Sequence, residues 1–230
     1  MARLLILATR NRHKAREIRQ ILTDRLSIQT LDDYPGAPTT IEDQDSFAGN
    51  AAKKALDLAT WIAANHSSTL ASMIAPGPEG AAFVVADDSG LEVDALGGAP
   101  GVHSARFAYL GRETSGNAPD AENNLKLLHL LDGVLSERRS ARFRCVIALA
   151  AIERGPSTTY HAHPKVQLFE GACEGAIRSG GEGTDGFGYD PLFVPNGFDQ
   201  TFAQIGDEAK NRISHRAAAL RKMSEWLGAR

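Results

Sequence analysis

Two short segments carry side chains that could do chemistry together. Thr9-Arg10-Asn11-Arg12-His13-Lys14 follows the apolar run Leu4 to Ala8. At the junction of a buried strand with a helix, free N–H groups and cations can hold an anion. The segment lacks the Gly-x-x-x-x-Gly-Lys pattern of a P-loop, and taken alone it reads more simply as a helix start with a solvated basic face. Asp87-Asp88-Ser89-Gly90 follows the apolar run Phe83 to Ala86. A carboxylate there could hold Mg²⁺ or take a proton from water, although Asp-Ser-Gly is also good turn chemistry. Strand alternation would leave one of the two aspartates facing a cleft.

Two further segments lie toward the other end of the chain. Gly180 to Pro191 is rich in glycine and contains Phe187, Gly188, Tyr189 and Asp190. Glycines permit close backbone approach to a ligand, and the two rings could stack on a base; the plain alternative is a floppy hairpin loop. Lys210 precedes Ser214-His215-Arg216 at the start of the last expected helix. Cations at a helix N-terminus oppose the dipole unless an anion sits nearby. His161 and His163 would share a strand face, but no third ligand lies near them, and they read as exposed strand or loop.

The elements that must position these segments alternate between strand and helix. Strands are expected at Leu4 to Ala8, Phe83 to Ala86, Leu91 to Val93 and Phe143 to Ile152, with hairpin-like strand material from Val166 to Ile177 broken by Gly171 and Gly175. Helices are expected over Ala15 to Leu26, Phe47 to Ile62, Pro119 to Leu131 and Ser214 to Leu227, the last capped by Ser214. Asn65 to Ala82 reads as a surface excursion, and its removal is expected to leave activity intact. These elements make a single α/β domain over residues 1–230, with a β-rich second lobe beside a cleft.

Composition excludes several classes. The 230 residues carry 25 Lys plus Arg against 28 Asp plus Glu, a net charge of -3, so nucleic acid is not the expected partner. Cys145 and Cys173 have no metal-ligand spacing and read as buried thiols in a reducing compartment. The first apolar run is too short for a signal peptide, and no stretch is apolar enough to span a membrane, so a cytoplasmic location is expected.

Together, in this order, the motifs Thr9-x-Asn11-x-x-Lys14, Asp87-Asp88-Ser89-Gly90-Leu91, Gly97-Gly98-x-Pro100-Gly101, Ser104-Ala105-Arg106, Gly186-Phe187-Gly188-Tyr189-Asp190-Pro191 and Ser214-His215-Arg216 resemble the inosine triphosphate pyrophosphatase family. The similarity runs from Leu4 to Leu220. It implies an α/β fold with a mixed central sheet, flanking helices and two lobes around a nucleotide-binding cleft. It also implies a homodimer and Mg²⁺-dependent hydrolysis of ITP, dITP and XTP to the monophosphate and pyrophosphate, clearing deaminated purines from the nucleotide pool.

By the same resemblance, Thr9, Asn11 and Lys14, with Arg10, Arg12 and His13 beside them, would bind the triphosphate, and Lys54 would assist. Asn50 and Lys54 are four apart and so share a helix face. Asp88 would be the general base and a metal ligand, with Glu42 as a second acidic ligand. Ser89, Phe187, Gly188, Tyr189, Asp190, Lys210, His215 and Arg216 would complete the nucleotide pocket. The chain departs from the family pattern at Gly49, commonly acidic, at Cys173-Glu174, commonly Trp-Pro, and in the length of the excursion. Two other readings are a pyrophosphatase for modified pyrimidine nucleotides and a non-catalytic nucleotide- or RNA-binding module.

Overall fold

A computed structural model describes residues 3–22, 26–74, 82–114, 116–155 and 159–229. The chain divides into two compact units, one of Met1–Asp88, Val146–Phe169 and Leu220–Arg230, the other of Ser89–Cys145 and Glu170–Ala219. The described residues form an α/β fold on one mixed sheet of six strands in the order β2-β1-β3-β4-β5-β6.

The first unit begins with β1 (Arg3–Leu7), whose Leu4 to Leu7 are buried, as a strand covered on both faces requires. Asn11 then caps α1 (Arg12–Ile21), its side-chain oxygen accepting from the His13 and Lys14 N–H groups at 2.9 and 3.1 Å. The helix therefore starts three residues before the expected Ala15, and it ends at Ile21 rather than Leu26. Leu26 instead opens β2 (Leu26–Thr30), which pairs parallel with β1, Arg3 opposite Leu26. Sheet pairing thus overrides the helical spacing of Ile18, Leu22 and Leu26.

Ser46 caps α2 (Phe47–Asn65), which buries Phe47, Ala51, Ala55, Leu58 and Ile62, the face expected from their spacing. The presumed surface excursion is a correction. Residues 67–73 form α3 (Ser67–Met73), whose Leu70 is fully buried, and Ile74 is buried beyond it. Ser67, Ser68, Ala71, Ser72 and Met73 are exposed, so the segment is a surface helix pinned by Leu70 rather than a solvated loop; residues 75–81 lie outside the described part.

Next comes β3 (Ala82–Val93), a single strand that absorbs both expected ones together with Asp87-Asp88-Ser89-Gly90. The turn reading of that motif fails because the motif lies inside a strand. The N-terminal half of β3 pairs parallel with β1, Leu4 opposite Ala82. Two long strands, β4 (Ser140–Arg154) and β5 (Tyr160–Ile177), contribute to both units. Gly171 and Gly175 do not break β5: a Cβ at Gly171 would collide with the His215 carbonyl oxygen and lie 2.6 Å from the Ala219 nitrogen, so glycine admits a close neighbour there.

In the second unit, α4 (Asp120–Leu130), β6 (Phe193–Pro195) and α5 (Phe202–Ile213) join the inner residues of β3, β4 and β5 around one core. Leu91, Phe107, Leu127, Phe143, Tyr189, Phe193 and Phe202 form that core. The short β6 pairs antiparallel with β5, which makes the sheet mixed. The final helix, α6 (His215–Gly228), opens with Ser214 Oγ accepting from the Ala217 N–H at 3.2 Å, the cap the sequence announces.

Candidate active site

In the first unit, β1, α2 and β3 bring together a compact set of opposite charges. Alternation along β3 separates its two aspartates. Asp87 pairs with Lys14 of α1, while Asp88 lies 2.8 Å from Lys54 Nζ and 3.3 Å from Asn50 Nδ2, both on α2. Lys54 also donates to the Asp87 carbonyl oxygen at 2.8 Å and to Glu42 Oε1 at 3.0 Å. One ammonium therefore ties α2 to two consecutive residues of β3 and to the segment that carries Glu42.

Burial and charge act against each other in this cluster. Burial raises the Asp88 carboxyl above the ordinary range, although Lys54 and Lys14 oppose it. Burial likewise disfavours the Lys54 ammonium, but Asp88, Glu42 and Asp87 outweigh it and hold the ammonium above its ordinary value. The lysine faces several negative groups while Asp88 sits deep beside fewer cations, so both directions follow from one geometry.

A recess of about 590 Å³ opens beside the loop after β1, lined by Thr9, Arg10, Asn11, Arg12, Arg16 and Arg19, and by Thr30 and Asp32. Arg10 is fixed by a 2.6 Å hydrogen bond to the Ala37 carbonyl oxygen. His13 is exposed at the first turn of α1. The sequence reading missed Arg16 and Arg19. Their spacing from Arg12, four and then seven residues on, places all three along one side of α1 and could have revealed them.

The second unit assembles the glycine-rich segment and the start of α6. Asp190 accepts from Lys210 Nζ at 2.5 Å and from the Phe187 N–H at 2.9 Å, and both charged side chains are buried. The Lys210 ammonium lies 4.8 Å from the Phe187 ring centre, and the Arg216 guanidinium 5.8 Å. Arg216 Nη2 donates to Ser89 Oγ at 2.9 Å, and the His215 ring stacks on Phe143. Gly188, with φ +63°, follows Phe187. Tyr189 departs from the two-ring stacking platform: its ring is buried in the core and its hydroxyl donates to the Ser104 carbonyl oxygen at 2.9 Å. Phe187, by contrast, is half-buried.

Among the described residues, no group of three or more His, Cys, Asp or Glu is arranged to hold a metal ion. Mg²⁺, however, commonly takes one or two carboxylates and completes its shell with water and phosphate oxygens. Asp88 and Glu42, converging on one ammonium, offer a donor set of that kind. At Gly49, a Cβ would approach Gln44 Cβ to 2.9 Å and Ser46 Oγ to 3.2 Å, so the neighbouring side chains leave little room for a larger residue there.

The chain matches the model of the Ham1 family over residues 5–226. It is 42% identical over 223 residues to the dITP/XTP pyrophosphatase of Shouchella clausii, covering 97% of this chain and 96% of that one. It is 43% identical over 224 residues to the dITP/XTP pyrophosphatase of Desulforamulus reducens, with coverage of 97% and 94%. The structure of a HAM1 protein from Coxiella burnetii aligns with a TM-score of 0.75 at 31% identity, over 99% of this chain and 100% of that one.

Proposed function

This chain belongs to the Ham1 family, and we propose on that premise that it hydrolyses the triphosphates of deaminated purines, ITP, dITP and XTP, to the monophosphate and pyrophosphate. The observation that carries the chemistry is Asp88, a buried carboxylate held between Lys54 and Asn50 with the Lys14–Asp87 pair beside it. The relatives from Shouchella clausii and Desulforamulus reducens are dITP/XTP pyrophosphatases, which supports the same substrate class here.

In this reading Thr9, Asn11 and Lys14 hold the triphosphate, with Arg10 and Arg12 adding positive charge along the recess and His13 beside them on the first turn of α1. Lys54 offsets charge at the phosphates and keeps Asp88 oriented. The Asp88 carboxylate accepts a proton from water; the water oxygen forms a bond to the α-phosphorus, the bond to the α–β bridging oxygen breaks, and pyrophosphate leaves with that electron pair. General-base assistance of this kind is worth about 10²–10⁴ in rate. Asp88 and Glu42 would hold Mg²⁺, which when bound neutralises phosphate charge and polarises the phosphoryl oxygens.

Base recognition falls to Phe187, Lys210 and Arg216. Phe187 offers a ring face, and the cations Lys210 and Arg216, 4.8 and 5.8 Å from its centre, suit an oxygen acceptor such as O6 of hypoxanthine or xanthine. Ser89 holds Arg216, Asp190 holds Lys210 and the Phe187 N–H, and His215 stacks on Phe143. Gly188 and Tyr189 hold the loop. The reading includes a cytoplasmic role in clearing the nucleotide pool and a homodimer, for which Leu125, Leu130 and Leu135 supply exposed apolar side chains. Among the described residues, no helix is long and apolar enough to cross a membrane.

Product analysis tests the bond assignment. ITP with Mg²⁺ should give IMP and pyrophosphate in equal amounts, with oxygen from ¹⁸O-water appearing in IMP. Release of IDP and orthophosphate would contradict attack at the α-phosphorus.

A further inference from the structure

The glycine-rich segment is not held only by its own residues. Asp120 Oδ2 accepts the Gly188 N–H at 2.6 Å, and Asn124 Nδ2 donates to the Gly188 carbonyl oxygen at 3.0 Å. Asp120 and Asn124 are four apart on α4, so one face of that helix grips both polar groups of a single glycine. The Phe187 N–H is meanwhile bound to Asp190 at 2.9 Å. The N–H groups on either side of the Phe187 Cα therefore both end on carboxylates, one within the loop and one on α4. Gly188 itself adopts φ +63°, a conformation costly for other residues, so the ring precedes a backbone that needs holding.

We propose that Asp120 and Asn124 are positioning residues that set the angle of the Phe187 ring, and through it the affinity for the purine base. The inference rests on the proposed base-binding role of Phe187. Neither α4 residue needs to touch the nucleotide. Their effect is on binding of the base, equal in the ground and transition states, because the base does not change during phosphoryl hydrolysis.

The test is a double-mutant cycle read by ITP kinetics. Asp120→Ala should raise KM for ITP about tenfold with kcat little changed, as loss of a charge-assisted hydrogen bond predicts. Asp120→Asn, which keeps an acceptor oxygen, should recover most of the loss. In a Phe187→Leu background, Asp120→Ala should have little further effect on KM, because the ring it orients is gone. Additive effects in the two backgrounds, a fall in kcat at constant KM, or an unchanged KM in Asp120→Ala would each overturn the proposal. Should Asp120→Ala fold poorly, Asn124→Leu gives a second entry to the cycle with the same expected non-additivity. If the wild-type protein fails to hydrolyse ITP at all, the functional reading fails, an outcome distinct from ITP hydrolysis with additive variants.

Discussion

Lys54 reaches two consecutive residues of β3 at once, lying 2.8 Å from an Asp88 carboxylate oxygen and 2.8 Å from the Asp87 carbonyl oxygen. A helix and a strand are thereby locked in register at the point where the proposed general base emerges. The same contact that orients Asp88 also keeps a buried carboxylate in a charged setting.

Asp88→Asn keeps the size and hydrogen-bonding shape of the side chain but cannot accept the water proton. Its turnover should fall by at least about 10²-fold while nucleotide binding survives. Single-turnover kinetics and titration calorimetry on the same variant separate the two effects; near-normal turnover at saturating Mg²⁺ would remove Asp88 from the mechanism.

Lys54→Met should cost stability as well as activity. It strands Asp88, 8% exposed, and Glu42, 36% exposed, without their shared cation. Breaking such a pair from one side costs about 3 kcal/mol, the low end of the buried range because Glu42 is partly solvated. Urea unfolding checks the figure, and an unchanged midpoint would show that the ion cluster contributes nothing to the fold.

Arg16→Ala with Arg19→Ala tests the recess beside the β1–α1 loop. Removing two cations should raise KM for ITP several-fold with kcat retained, and the difference from wild type should shrink as ionic strength rises. A salt-independent difference would mean that the variant changed local structure rather than long-range attraction.

The sequence was most informative where the chemistry and the packing agree. The buried face of α2 was readable from Phe47, Ala51, Ala55, Leu58 and Ile62 because a long helix against a core repeats its pattern over several turns. The same pattern misled at Leu26, where pairing with Arg3 outweighs spacing, and at Leu70, where seven residues offer too few turns to show a buried face. Asp87-Asp88-Ser89-Gly90 has turn-like composition, yet hydrogen bonds from Lys54 and Asn50 satisfy it inside a strand. Helix α5 was missed because Gly206, at φ +76°, interrupts its pattern. The residues resembling a nucleotide site were visible as motifs. Their mutual arrangement, such as Arg216 on Ser89, joins positions 127 apart in sequence and leaves no local trace.

Gly171→Ala probes the tight approach of β5 to the start of α6. The new Cβ would meet the His215 carbonyl oxygen and the Ala219 nitrogen, both backbone atoms that cannot rotate away. Overpacking of this kind costs about 1–3 kcal/mol, and it should also disturb Arg216, which neighbours His215. A lower thermal midpoint with a higher KM for ITP is expected; unchanged values would mean that α6 shifts freely.

The most direct measurement is pyrophosphate release from ITP, dITP, XTP and ATP by the same wild-type preparation, compared as kcat/KM. A site built from donors accepts an O6 acceptor, whereas adenine presents an N6 donor to it and leaves buried groups unpaired. Two such mismatches at about 1.4 kcal/mol each give roughly a hundredfold preference for ITP over ATP, and Arg216→Ala should narrow it. Equal kcat/KM for ITP and ATP would contradict the account even if Asp88 proved essential.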